Sequence, residues 1–145
     1  MALSTFLGVN LVTPKGVVSQ SETDSVQAPG ELGEFELLPG HVPMLTALRP
    51  GVLTIGSASG RSNPAARNKY AVGPGYLRID PTGSVEILVE QAVAATEIDV
   101  DAARKELQTA EADLAKWGDK AQDGDYHNLV AKSTWARARI DAVSH

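Results

Sequence analysis

The 145-residue chain contains no cysteine. That excludes disulfide staples, thiol chemistry and cysteine-ligated zinc, and it fits a reducing compartment. No run of about 18 apolar residues occurs, so no membrane-spanning helix is expected. The opening Met1-Ala2-Leu3-Ser4-Thr5-Phe6 lacks the basic region and apolar run of a secretory signal. Positive charge is in deficit: 13 Lys and Arg stand against 18 Asp and Glu, a net charge of −5. Bulk charge of that sign is a poor match to nucleic acid. Spacings that carry chemistry are missing too. His41, His127 and His145 form no His-x-x-x-His pair, and there is no Gly-x-Ser-x-Gly elbow. Gly73-Pro74-Gly75 lacks the Lys-Ser/Thr of a phosphate loop and leads into a strand pattern, so it reads as a β-turn. No catalytic residue, metal site or cofactor is expected.

What is present falls into two halves. The hydrophobic content of 43% suffices for one core, in one ordinary domain or a small domain with an appendage. Residues 1–95 are rich in Gly, Pro, Val and Leu. Short alternating runs (Leu7–Val12, Val17–Gln20, Ser25–Ala28, Gly51–Ile55, Lys69–Val72, Tyr76–Ile79, Val85–Val89) are cut by Thr13-Pro14-Lys15-Gly16, Pro29-Gly30, Pro39-Gly40, Arg49-Pro50-Gly51, Gly73-Pro74-Gly75 and Asp80-Pro81-Thr82-Gly83. Closely spaced strands with Gly/Pro turns predict an antiparallel β-sandwich or barrel. Gly56–Arg67 reads as a long exposed hairpin loop.

Residues 96–145 follow a different pattern. From Asp99 onward there is no proline. Ala103, Leu107, Ala110, Leu114 and Trp117 recur at steps of three and four, one face of a helix. Asp99 or Thr96 supplies the cap, and the early acids suit the positive end of the helix dipole. A polar break at Gly118–Asp125 precedes a second run through Tyr126, Leu129, Ser133, Ala136, Ile140 and Val143. The expectation is an antiparallel helical hairpin whose first helix is about 28 Å long. The fold class is therefore α+β, mainly β. The hairpin's contact faces are mostly Ala and Ser. Either they hold it so lightly that it opens at modest cost, or they let the helices pack closely.

Four sets of residues draw attention. Glu31, Glu34 and Glu36 form an acidic cluster on a turn-rich segment. Such a cluster can do acid/base work, but on a loop it is expected to be solvated or to face a basic partner. His41 follows Pro39-Gly40 and reads as a structural turn residue. Lys132, Arg137 and Arg139 gather on the second helix, opposed there only by Asp141. They make either a solvated face or a docking strip for an acidic partner. Trp135 lies off the Ser133/Ala136/Ile140 face. It is expected to be exposed as an interface anchor, the other reading being that it covers the edge of the helix seam.

The block Val26-Gln27-Ala28-Pro29-Gly30, Gly33-Glu34-Phe35 and Leu38 through Gly51 resembles the signature of F-type ATP synthase epsilon subunits. Tyr70–Gly75, Val85–Ala92 and Glu97-Ile98-Asp99 are similar to later elements of that family, and the likeness runs from about Leu11 to Val143. The resemblance implies a non-catalytic subunit with a β-sandwich (1–95) and a regulatory helical hairpin (96–145). It implies that the sandwich lies against the gamma subunit and the membrane c-ring, coupling ring rotation to the catalytic head. Glu34, Phe35, Glu36, Pro39, Gly40 and His41 would then form the edge facing ring and gamma. The hairpin would fold down on the sandwich or extend toward the alpha and beta subunits and block ATP hydrolysis, with Lys132, Trp135, Arg137 and Arg139 docking on beta.

Some positions depart from the family pattern. Glu36 stands where glycine is usual, and Pro74 replaces a small residue. Some members bind ATP at the hairpin through an Ile/Leu-Asp-x-x-Arg-Ala motif. Here Ile98-Asp99 is followed by Ala102 in place of that arginine, a later register recovers Arg104 but loses the alanine, and Trp135 replaces an arginine while Arg139 remains. Asp99, Arg104 and Arg139 are the residual nucleotide-site candidates, and the departures argue against ATP as a ligand. The expected location is peripheral, on the cytoplasmic face of a bacterial membrane, held there only through the complex. The competing readings are a free-standing β-sandwich module with a nucleotide-sensing hairpin, and a small hydrolase using His41 and the glutamates.

Overall fold

The computed structural model describes residues 6–56 and 68–144. In most of the strands every second side chain is apolar and shares one buried face. The strands are β1 (Leu7–Thr13), β2 (Gly16–Thr23), β3 (Val26–Gly30), β4 (Gly33–Leu37), β5 (Met44–Leu48), β6 (Gly51–Ile55), β7 (Asn68–Val72), β8 (Gly75–Ile79), β9 (Ser84–Val89) and β10 (Ala92–Ala94). A 3-10 turn at Ala95–Glu97 leads to α1 (Val100–Ala115) and α2 (Gly124–Ser144). The strand order is β10-β7-β6-β3-β5-β8-β9-β1-β2, with β4 on β3. β3 meets β5 at a single pair, Gly30 with Leu48. There the sheet turns over on itself, making two layers around one core. All pairings among the described residues are antiparallel except β1 with β9, which is parallel.

The core alternates strictly. Leu7, Val9 and Leu11 of β1, Leu53 and Ile55 of β6, Tyr70 and Val72 of β7, Leu77 and Ile79 of β8, and Val85, Ile87 and Val89 of β9 form one buried cluster. Each such aliphatic side chain contributes about 1.5–3 kcal/mol on burial. At the start of β8 the backbones pass so closely that a Cβ on Gly75 would sit 1.9 Å from the Leu88 carbonyl oxygen. Only glycine fits there. The β8–β9 turn is built on Asp80. Its carboxylate accepts hydrogen bonds from the Thr82 hydroxyl at 2.6 Å, the Thr82 amide at 2.9 Å and the Ser84 amide at 3.0 Å. The Thr82 hydroxyl, followed by the Ser84 amide, holds the Asp80 carboxyl below its ordinary pKa.

Several strands run differently from expectation. β3 carries on through Pro29 and Gly30. The segment around Glu34 and Glu36 is strand β4, with Phe35 packed against the core and Leu37 inside it. The glutamates mask a period-2 pattern there. β5 emerges from within the Pro/Gly-rich block. β6 and β7 pair antiparallel; the loop expected between them lies, from residue 57 to 67, outside the described residues.

In α1 the Asp99 carboxylate caps the first turn, accepting from the Ala102 amide at 3.1 Å. Thr96 belongs to the preceding 3-10 turn. The helix has 16 residues, so it is about 24 Å long rather than the expected 28. Its end is set by Gly118, in the left-handed region at φ 64. Asp123 opens α2 in the same way as Asp99 opens α1, accepting from the amides of Asp125 and Tyr126. α2 packs on α1, on β6 and β7 and on the 3-10 turn, whereas the substantial contact of α1 is with α2. The hairpin thus lies down on the sandwich, attached through its second helix. No helix among the described residues is long and apolar enough to cross a membrane.

Candidate functional site

Three surfaces could carry function. The first is the outer face of the layer β2-β1-β9-β8-β5, on the far side of the core from the helices. The inward residues of β1, β9, β8 and β5 enter the core, to which β2 contributes none, and the same alternation sets the others outward. The register aligns Val17 of β2, Val12 of β1, Leu88 of β9, Tyr76 of β8 and Ala47 of β5 side by side. Val17 is 62% exposed, Tyr76 58%, Leu88 50% and neighbouring Leu45 68%. These are large apolar side chains in one contiguous stripe across five strands, which is the signature of an interface rather than scattered surface residues. Beside the stripe lies a trough of about 810 Å³ lined by Val12, Pro14, Ala47, Tyr76 and Leu88, with Glu31 and Glu90 among its polar residues. Sequence reasoning missed this face. A local signal was available, since outward positions of a two-layered sheet should be polar and these are not, but only the strand register sets them side by side.

The second surface is the segment picked out by its sequence. Leu38-Pro39-Gly40-His41 is a β-turn closed by the His41 amide on the Leu38 carbonyl at 3.1 Å, with Gly40 at φ 87 as a type II turn requires. The imidazole Nδ1 of His41 lies 2.8 Å from the Val42 carbonyl oxygen. That oxygen can only accept, so Nδ1 carries the proton. Leu38 and Val42 flank the turn and are exposed. Glu34 and Glu36 lie on the outer face of β4, where Glu36 accepts a hydrogen bond from Gln27 at 2.9 Å. Phe35 faces the core instead. The six residues expected at this edge therefore divide into an outward carboxylate pair, one core aromatic and a turn. The His41 imidazole is engaged with backbone rather than with a glutamate, so no hydrolytic pair is assembled. Among the described residues no cluster of three or more His, Asp or Glu could hold a metal ion.

The third surface is the docked hairpin. Trp135 is not the exposed anchor expected from the sequence. It is partly buried and packs with Ala138 and Ala142 of α2 against Ala71 of β7, together with Val52, Ala95 and Ile98. Positions 135, 138 and 142 stand three and four apart, so they form a second helical stripe. Ala136, buried too, lies about 200° around the helix from Ala138 and faces α1. The sequence reading found the stripe facing α1 and missed the one facing the sheet. Val143, placed on the first stripe, is 42% exposed.

The basic strip is also not an unopposed one. Arg137 pairs with Glu111 of α1 at 3.0 Å, and Arg139 pairs with Glu106 of α1. The opposing acids come from the neighbouring helix, which the charge pattern of α2 alone does not show. Lys132 is exposed. The nucleotide-site candidates are not brought together by any of these contacts. Asp99 caps α1, Arg104 faces Asp101 at 3.9 Å and Arg139 is held by Glu106. Between α2 and the sheet runs a groove of about 790 Å³ lined on one side by Thr134, Arg137 and Asp141 and on the other by Gln27, Thr54 and Lys69.

Comparison with known proteins agrees with this architecture. Residues 6–95 match the family described as ATP synthase, Delta/Epsilon chain, beta-sandwich domain. The chain is 41% identical over 137 residues to the ATP synthase epsilon chain of Geobacter sulfurreducens, covering 94% of this chain and 93% of that one. It is 41% identical over 137 residues, with the same coverage, to the ATP synthase epsilon chain of Geobacter metallireducens. Its fold is similar to a chain in a structure of the Euglena gracilis mitochondrial ATP synthase, OSCP/F1/c-ring in rotational state 1. The TM-score there is 0.79 at 20% identity, over 100% of this chain and 85% of the other. By family match and by identity along nearly its whole length, this chain belongs to the ATP synthase epsilon-chain family.

Proposed function

We propose that this chain is a non-catalytic coupling subunit of a rotary ATP synthase, seated on a rotor partner through the apolar stripe of its sandwich. The observation that carries this reading is the in-register row Val17, Val12, Leu88, Tyr76, Ala47. Exposed apolar surface on that scale is costly to leave in water and fits a standard interface with an aromatic near its centre. Gamma is the partner for the stripe, and the Leu38–Val42 turn with Glu34 and Glu36 is the edge presented to the c-ring. The Euglena structure contains F1 and a c-ring, which supports the choice of partners. Membrane association goes through the complex, at the cytoplasmic face of a bacterial membrane.

In this reading the hairpin is a brake. Docked on the sandwich, it keeps Arg137 and Arg139 on α1 carboxylates. Released from the sandwich and opened between α1 and α2, it would offer them and Lys132 to acidic residues of the catalytic head and inhibit ATP hydrolysis. The reading includes no nucleotide at the hairpin, supported by the cap role of Asp99 and by the α1 carboxylates that Arg104 and Arg139 face. A calorimetric titration with ATP is expected to give no low-micromolar heat.

The testing experiment is ATP hydrolysis by the cognate catalytic head, with the full chain, a truncation ending at Ala95 and the double variant Tyr76→Glu/Leu88→Glu. The full chain should bind and inhibit. The truncation should bind without inhibiting, and the double variant should lose binding at least about tenfold, since a charge buried in an interface goes unpaired. Undiminished binding by the double variant would remove the stripe from the interface. Inhibition by the truncation would remove the hairpin from the brake.

A further inference from the structure

The hairpin rests on the sandwich through very little material. Its seam joins Ala71 of β7 and Val52 of β6 to Ala138 and Ala142 of α2, with Ala95 and Ile98 from the connecting segment. Alanine methyls bury small areas, and burial energy follows area. Trp135 is the one large side chain that α2 brings to this seam. The Arg139 guanidinium lies over the Trp135 ring, 5.6 Å from its centroid. Arg139 is itself anchored to Glu106 of α1, and its side chain is only 14% exposed, against 62% for Arg137. The run Glu106–Arg139–Trp135 therefore links α1 to the large apolar side chain that α2 brings to the seam. The two ion pairs connect helix to helix and travel with the hairpin. The seam is what they leave behind on release.

We propose that Trp135 is the clasp that sets the docked position of the hairpin, held in its seat by Arg139 and through it by Glu106. Arg139 is a positioning residue, not a docking contact with the sandwich. The proposal deepens the brake reading by naming the contact that regulates it. It makes the resting equilibrium depend on one aromatic side chain and no ligand. Ion-pair screening by salt then acts on this equilibrium only indirectly, through the orientation of the ring.

The test uses the full chain, which has no cysteine of its own. Spin labels go on Glu22→Cys, exposed on the sandwich, and Lys132→Cys, exposed on the hairpin, and the distance distribution between them is read by pulsed EPR. With Trp135→Ala the ratio of undocked to docked hairpin should rise by about tenfold or more, and Trp135→Phe should restore most of the docked population. Glu106→Gln should shift the same ratio by a smaller factor. Loss of helical signal in Trp135→Ala with the strand signal kept also counts in favour, because alanine is the better helix former and its intrinsic preference would raise that signal. Ala71→Glu loads the sandwich side of the seam while leaving the helix sequence intact, and it should release the hairpin too. An unchanged distance and unchanged helicity in Trp135→Ala, or an unchanged distance in Ala71→Glu, overturns the proposal. No ATPase enters the measurement, so a failed clasp and a failed brake are told apart.

Discussion

Buried side chains in the sandwich include Leu7, Leu11, Leu37, Leu53, Leu77 and Ile87, whereas those among the described residues of the hairpin are Ala103, Ala110, Ala136, Ala138 and Ala142. Both regions are regular, capped and tightly paired, yet they exclude very different areas of carbon from water. A leucine interior removes several times the apolar surface of an alanine interior, and stability follows that area. The hairpin takes its position from one seam and one tryptophan. A part that must stay rigid while its neighbour moves would be built in this way, with close-packed aliphatics in one and small residues at the mobile contact.

The sharpest way to break this comparison is to hollow the sandwich. Leu77→Ala should cost about 2–5 kcal/mol in urea unfolding, the range for a large-to-small change at a fully buried site. A cost no greater than that of a cap mutation in the hairpin would mean that the two regions are held with similar strength. Next in size is the cap itself. Asp99→Ala should lower hairpin stability by about 1 kcal/mol, read as earlier loss of helical signal on heating while the strand signal is kept. If both signals move together, the hairpin and sandwich unfold as one unit. Smaller still is Arg137→Ala. Its pair with Glu111 is more than half exposed on both sides, so the loss should stay below about 0.5 kcal/mol and shrink in salt.

The smallest effect belongs to Asp80. Its carboxyl pKa is lowered in the folded chain, chiefly by the Thr82 hydroxyl and then by the Ser84 amide. A lowered folded value means that its contribution is present above the unfolded pKa and lost as pH falls through the folded one. Asp80→Asn should therefore lower stability slightly at neutral pH, where the contribution is present, and the difference from the parent should close as pH falls through the folded pKa, flattening the acid limb of the stability curve. A variant whose acid limb matches that of the parent would assign that limb to other carboxylates.

Much of the fold could be read from residues in order. The strands β1, β2, β6, β7, β8 and β9 follow from local alternation, because a period of two needs no knowledge of the partner strand. β4 and β5 were obscured by glutamates and by Pro/Gly signals, which describe exposed faces and turns and say nothing of the inward Phe35, Leu37 and Leu48 between them. The turn at Leu38–His41 was legible because Pro-Gly fixes its dihedrals locally. The outward stripe was not, since it exists only when five strands that are distant in sequence are set in register.

Neighbouring residues and local backbone preference suffice for the two-part plan, the cap of α1 and the likeness of the Pro39–Gly51 block to a known signature. The parallel meeting of β1 with β9, the partners of Arg137 and Arg139 and the inward turn of Trp135 were settled by long-range packing. All three depend on which faces meet across long stretches of chain. A helix offers several stripes, and its own sequence does not say which of them will find a partner.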